Sequence, residues 1–199
     1  MDKNMPTKVL VFAASNSRTS INRQLAEHIG RVLSSEVMAG VEIETLDLND
    51  FEIPIYSAER EREGGIPALA QAFRDRISAV DGVIVSFPEH NGTYSAAFKN
   101  IFDWVSRIDM AVYQKKPVVF LATSPGGRAG RKVLEFATQT APFFGAEVAG
   151  TLAIGPFAER FDTDRGELTD AEDVSTLRGI LKTFQQALEQ RIAPVQTAA

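Results

Sequence analysis

Lys8-Val9-Leu10-Val11-Phe12-Ala13-Ala14-Ser15-Asn16-Ser17-Arg18-Thr19-Ser20-Ile21-Asn22 is the stretch on which the reading of the whole chain turns. Its first half is a short, continuous apolar run rich in β-branched residues, the pattern of a strand buried on both faces of a parallel sheet. Its second half gives way to hydroxyls and amides and then enters a segment whose apolar positions, Ile21, Leu25, Ile29 and Val32, share one helix face. A strand, a polar loop and an amphipathic helix in that order open a βαβ unit.

Working outward, the strand character returns at 81–87 and 117–123, and more weakly at 41–46 and 147–153. Helical spacing lies between these runs. Leu69, Phe73 and Ile77 precede the third, Ala97, Ile101, Trp104 and Val105 follow it, and Val133, Phe136 and Ala137 follow the fourth. A final helix at 170–190 opens with Thr169-Asp170-Ala171-Glu172, which has the form of a capping box. Strands alternating with helices predict an α/β fold with a doubly wound parallel sheet in a three-layer α/β/α arrangement, and five strands favour the order 2-1-3-4-5. No internal repeat or low-complexity linker interrupts 1–199, so a single domain is expected. The longest irregular stretches, 49–67 and 155–168, have the length of functional or assembly loops.

Composition narrows the chemistry. A chain of 199 residues buries roughly 70% of the surface its unfolded form exposes and needs no staple. The absence of cysteine removes disulfides, thiolate nucleophiles and thiolate metal sites together. With only His28 and His90 besides, no transition-metal site is expected, and His28, among packing residues, reads as structural. The acidic segment 162–167 lacks the glycine and glutamate positions of a calcium loop and reads as a solvated turn. A short polar amino terminus and the lack of any run near 20 apolar residues predict no secretory signal and no membrane span, and hence a cytoplasmic protein. A net charge of −5 argues against a nucleic-acid partner.

In an open parallel sheet, ligands sit beyond the carboxyl ends of the strands where the winding reverses, so the loops after strands 1, 3 and 4 matter most. The first, Ser15 to Asn22, sets hydroxyls and backbone N–H groups at a helix amino terminus, whose dipole favours a phosphate. Neither the nucleoside-triphosphate loop pattern nor Gly-x-Gly-x-x-Gly is present. A plainer reading of the same residues is a Ser-rich turn capped by Ser20. The second loop is Pro88-Glu89-His90-Asn91-Gly92-Thr93-Tyr94-Ser95, followed by Lys99-Asn100-Ile101-Phe102-Asp103-Trp104; the third is Ser124-Pro125-Gly126-Gly127-Arg128.

Taken together and in order, these segments resemble the NADPH-dependent FMN reductase family, a flavodoxin-like group that includes chromate and quinone reductases and some azoreductases. That family shows a Gly/Ala-Ser-x-x-x-x-Ser-x-Asn loop, a Pro-Glu-Tyr-Asn-Gly segment, a Lys-Asn-x-x-Asp-Trp helix and a Ser-Pro-Gly-Gly turn, and the likeness spans about 8–153. The resemblance implies a flavodoxin-like fold with FMN as cofactor and NADPH or NADH as co-substrate. It implies that electrons pass to free flavin, a quinone, an azo compound or a metal oxyanion. By the same resemblance Ser15, Ser17, Ser20, Ile21 and Asn22 would hold the FMN phosphate. Pro88, Glu89, His90, Asn91 and Gly92 would border the isoalloxazine ring, as would Ser124, Gly126 and Gly127.

Two positions depart from the family pattern. Ser17 stands where many relatives carry Arg, with Arg18 one place later, so either is the candidate phosphate contact. His90 replaces the usual Tyr and reads as a flavin neighbour, a proton source for a reduced quinone, or a surface residue. Because the cofactor itself carries hydride chemistry, no catalytic side chain is demanded. Glycines at 92, 126 and 127 would let backbone N–H groups approach the ring. The resemblance further implies a homodimer or homotetramer with Trp104 and Phe102 at the subunit interface; the plainer reading of the pair is core packing on the sheet, and different faces of the rings can serve both. A non-enzymatic electron carrier of the flavodoxin type is the alternative. A phospho-receiver domain shares the strand order but places paired acids where Ser15 and Asn16 stand.

Overall fold

The computed structural model describes residues 6–192. Its middle layer is a parallel sheet of β1 (Lys8–Ala13), β2 (Glu42–Leu46), β3 (Gly82–Phe87), β4 (Lys116–Thr123) and β5 (Ala146–Ile154), in the order β2-β1-β3-β4-β5. The expected order and strand positions are therefore observed. Side-chain alternation divides each central strand between two cores. Leu10, Phe12, Val83, Val85, Val118 and Phe120 face one side, and Val9, Val11, Ile84, Val119 and Leu121 the other. Burial on both faces is why these strands are apolar throughout. β2 lies at the edge, partly exposed, and its sequence signal is correspondingly weaker.

The first core is covered by α3 (Ala68–Ser78), α4 (Ala96–Ile108) and α5 (Arg131–Thr140), and the second by α1 (Ile21–Val32) and α7 (Ala171–Ile192). α7 lies so close to β5 that a Cβ at Gly150 would stand 2.6 Å from Ile180 Cγ2. The 49–67 stretch is not wholly irregular, because it contains α2 (Ala58–Gly64). That helix buries none of its residues, so it carries no apolar period to announce it. The 155–168 stretch holds α6 (Phe157–Arg160) and a hairpin of β6 (Phe161–Asp162) with β7 (Glu167–Leu168). The Asp162 carboxylate accepts from the backbone N–H groups of Asp164 and Arg165, at 2.9 and 3.0 Å, and so serves the hairpin turn.

Two expectations of detail are corrected. Leu69 and Phe136 are 40% and 39% exposed, and the buried faces of their helices run through Ala70, Phe73 and Ile77 and through Val133, Leu134 and Ala137. Each helix is rotated by a fraction of a turn from the face read in sequence, which spacings of three and four leave undetermined. α7 is capped by Asp170 rather than Thr169: one Asp170 oxygen accepts from Glu172 N and Asp173 N, at 3.0 and 3.1 Å. Trp104 and Phe102 are buried within the chain itself, at 2% and 5% exposure, as the core reading of these two residues expects. The Trp104 indole donates to the Pro54 carbonyl at 2.8 Å and meets the Tyr56 ring edge-on.

His28 is structural, as expected. It is buried on α1, its Nε2 accepts from Leu168 N at 3.4 Å, and its ring meets Phe161 edge-on. Burial, reinforced by the nearby Arg31 charge, lowers its pKa below the ordinary 6.5. As pH falls through that value the unfolded chain takes up the proton first, so stability is lost with acidification. Chemical denaturation from about pH 7 to about pH 5.5 is expected to show this loss, and His28→Gln, which keeps an acceptor but cannot titrate, is expected to show a shallower one.

Candidate functional site

The carboxyl ends of β1, β3 and β4 converge at the point where the winding reverses, between β1 and β3. In the first loop Ser15 is buried and its Oγ accepts from Ser17 N at 3.2 Å, which turns the chain and leaves Asn16, Ser17, Arg18 and Thr19 exposed. Ser20 then caps α1, accepting at Oγ from Arg23 N at 3.3 Å. The capping reading of this loop is therefore correct, and it leaves room for the anion reading. The first turn of α1 carries no acidic residue, and Arg18 takes no part in the ion pairs among the described residues. Positive potential at the helix terminus is thus unopposed.

The second loop is a tight hairpin. His90 and Thr93 exchange two backbone hydrogen bonds of 3.0 and 3.1 Å, and between them Asn91 and Gly92 take φ of 53° and 84°. Two consecutive left-handed residues make a type I′ turn, and Asn-Gly is the pair that adopts it most readily. Pro88 is half-buried where the chain leaves β3, while the His90 ring is exposed. Glu89 is turned away from the turn: its Oε2 accepts from Lys132 N and Val133 N, at 3.0 and 3.3 Å. It supplies the cap that Gly130, the residue before α5, lacks.

In the third loop Ser124 Oγ donates to the Gly126 carbonyl at 2.9 Å. Gly126 and Gly127 are exposed, and a Cβ on either would meet nothing within 4 Å. Packing within the chain does not require glycine at these positions, which leave a flat, open ledge of backbone. Behind the ledge, a Cβ on Gly155 would stand 2.8 Å from the Gly126 carbonyl oxygen, so the segment after β5 supports it directly.

Asn22 occupies a different place from the other candidates. Its side chain is buried, and it bonds to Ser86 and Thr123 beneath the loops rather than facing out of them. Ile21 is half-buried at the start of α1. The structure also brings in residues that sequence reading passed over. Ser95 Oγ donates to the Ala14 carbonyl at 2.7 Å and accepts from Phe98 N, so it ties the first loop to the start of α4. Its place just ahead of a helical run is a capping signal that was available. Ser86 and Thr123 read only as strand residues, and nothing local marks them.

The Lys-Asn-x-x-Asp-Trp helix has a supporting role. Asn100 accepts from Tyr56 N and donates to the carbonyl of Ile53, Trp104 holds Pro54, and Lys99 pairs with Asp103 at 2.7 Å. Asn100 and Trp104 pin 53–56, where Ile53 and Ile55, with Asn16, Ala97 and Asn100, line a cleft of about 250 Å³.

A helix terminus free of acidic residues in its first turn and an open stretch of glycine backbone, both at the switch point of a 2-1-3-4-5 sheet, place the protein in the doubly wound class that binds ligands at its carboxyl strand ends. Residues 7–159 match the NADPH-dependent FMN reductase family, and the chain belongs to that family. The quinone reductase of Escherichia coli (strain K12) is 28% identical over 185 residues, covering 92% of this chain and 96% of the relative. The NADH-dependent flavin reductase subunit 2 of Lactobacillus johnsonii is 24% identical, over 92% and 98% of the two chains. Among solved structures, FerB, a flavoenzyme NAD(P)H:(acceptor) oxidoreductase from Paracoccus denitrificans, shares the fold with a TM-score of 0.70 at 24% identity, covering 92% of this chain and 98% of its own. The protein is an NAD(P)H-dependent flavin oxidoreductase with FMN as its cofactor, and the electron-carrier alternative is not supported.

Glu89→Ala removes the side chain that caps the start of α5 among the described residues. It is expected to lower the unfolding free energy by about 1 kcal/mol in urea titrations of the apoprotein.

Proposed function

We propose that the three loops hold FMN with its phosphate at the amino terminus of α1 and its ring against the second and third loops, and that the enzyme reduces small planar or oxyanionic acceptors. The observation that carries this reading is the Gly126-Gly127 ledge, open to a ring, beside an α1 terminus with no acid to repel a phosphate. Ser17 and Arg18 both stand on the open face and are both assigned to the phosphate, one through its hydroxyl and one through its charge. Ser15 and Ser20 shape the loop, and the N–H groups of Ile21 and Asn22 begin the helix that the anion faces.

When bound, FMN supplies the hydride and electron chemistry. The chain's own contribution is position and field. Pro88, the Asn91-Gly92 turn, Ser124, Gly126 and Gly127 offer backbone to the ring, and the rigid I′ turn fixes where those groups point. Glu89 holds that loop against α5 without facing the ring. His90, exposed at the base of the turn, is assigned as a flavin neighbour that adds a polar group where relatives carry Tyr. An open ledge with few protruding side chains accounts for a broad choice of acceptor, with quinones and free flavins foremost.

Assembly as a homodimer or homotetramer is part of this proposal. It is supported by Ile55 and Phe143, which are 74% and 84% exposed and whose apolar surface a partner would cover. One sheet with a core on each face supports a single domain over 1–199. No helix among the described residues is long and apolar enough to cross a membrane, and the cytoplasm, where NAD(P)H is supplied, is the proposed location.

The purified protein is expected to show an oxidised flavin spectrum, or to acquire one on addition of FMN, and to bleach anaerobically with NADPH or NADH. A protein that stays colourless in excess FMN would refute the proposal. The ledge is tested separately by Gly127→Val. Because the site is open, the apoprotein is expected to keep its stability within about 0.5 kcal/mol. FMN affinity is expected to fall by more than about tenfold as the new side chain displaces the ring.

A further inference from the structure

We propose that Asn22 is a positioning residue, and that together with Ser86 and the backbone of Thr123 it forms a buried clamp that sets the first turn of α1 for the cofactor's phosphate. The inference rests on the FMN reading above and reassigns one of its residues from ligand to support. Asn22 Oδ1 accepts from Thr123 N at 3.1 Å, and its Nδ2 donates to Thr123 O at 3.1 Å. The carboxamide thus pairs with one residue's N–H and C=O as a neighbouring strand would. It is needed there because the β3–β4 pairing ends at Phe87 and Ala122, one residue short of Thr123. Without Asn22 both backbone groups of Thr123 would be buried and unpaired, a costly arrangement.

Ser86, on β3, completes the clamp. Its Oγ donates to the same Asn22 Oδ1 at 2.7 Å, and its carbonyl accepts from Ala14 N at 2.8 Å. The three residues are 2%, 0% and 1% exposed, so the network lies beneath the loops. Only the Nδ2 of a carboxamide can donate to an anion, and here Nδ2 is turned to the Thr123 carbonyl on a side chain 2% exposed, which argues against a direct phosphate role for it. What it does control is placement. Asn22 is the second residue of α1, and its fixed side chain anchors the helix terminus to the ends of β3 and β4. The N–H groups that face a phosphate therefore stand where three strands hold them. Residues separated by 64 and 101 positions are brought together for this purpose.

The test compares FMN with riboflavin, which lacks the phosphate, as ligands of the full-length apoprotein. Dissociation constants come from quenching of flavin fluorescence, and thermal midpoints are measured alongside. Ser86→Ala is the decisive variant because Ser86 lies below the loops and Asn22 keeps its bonds to Thr123. It is expected to weaken FMN by roughly threefold to tenfold, the range of one lost hydrogen bond, and riboflavin by less than about twofold. The preference for FMN therefore narrows, and Asn22→Ala is expected to narrow it further. A lowered thermal midpoint with an unchanged FMN-to-riboflavin preference in Ser86→Ala would overturn the proposal, because that is the result of a merely structural role. It is equally overturned if only Asn22→Ala loses the preference, which is the result of direct ligation. Should Asn22→Ala fail to fold, Ser86→Ala decides alone. Wild-type apoprotein that binds neither flavin would instead refute the FMN reading itself.

Discussion

A sheet buried on both faces has no surface of its own on which to place polar chemistry, and this constraint organises the rest of the structure. β1, β3 and β4 spend nearly all their interior positions on the two cores, Ser86 near the end of β3 being the buried polar exception. Polar function is displaced to the strand ends, where backbone groups run out of strand partners. Each such end is completed by a side chain from another element: Asn22 for β4, Ser95 for the carbonyl of Ala14, and Glu89 for the start of α5. The loops between these bonds are short and braced from below. A site made this way is organised before any ligand arrives, which reduces the ordering cost of binding.

The opposite end of the sheet obeys the same rule with the opposite charge. There the buried Lys116 at the start of β4 donates its ammonium to the carbonyls of Ile77 and Ser78, at the end of α3, and of Val80 just beyond it. A cation suits a helix carboxyl terminus as an anion suits an amino terminus. Burial lowers the Lys116 pKa to about 8, with the Arg191 charge acting in the same direction. One end of the α/β layers is therefore closed by a resident cation, while the other, at α1, is left open to an incoming anion. The net charge of −5 says little about that local field. Arg18, which joins no ion pair among the described residues, a first helical turn without acids and an open glycine backbone are the local features on which the proposed admission of an anionic cofactor to an acidic protein rests.

The four segments that carry the family likeness divide between contact and support once their geometry is known. The Ser-rich loop and the Gly-Gly turn present the open faces of the site. The Lys-Asn-x-x-Asp-Trp helix instead pins 53–56. Glu89, in the middle of the Pro-Glu-His-Asn-Gly segment, serves α5. The motif segments therefore mix residues exposed at the candidate site with residues whose side chains are spent on holding neighbouring segments.

Much was legible from the chain alone, because both-face burial leaves an unbroken apolar run and each covering helix leaves its period. Strand order and the positions of the covering helices followed from such local signals, while the family and the three candidate loops followed from the resemblance of the ordered loop segments. What stayed hidden depends on direction and distance. The exposed helix α2 has no apolar stripe to display it. The rotation that exposes Leu69 and Phe136, and the burial of Trp104 within its own chain, depend on how neighbouring layers meet. So does the inward turn of Asn22. Its motif position beside the phosphate loop suggested a ligand, and only the fold shows that its carboxamide completes the end of β4. A side chain's hydrogen-bonding capacity is written in the sequence, but the partner that uses it stands 101 residues away and is chosen by the packed sheet.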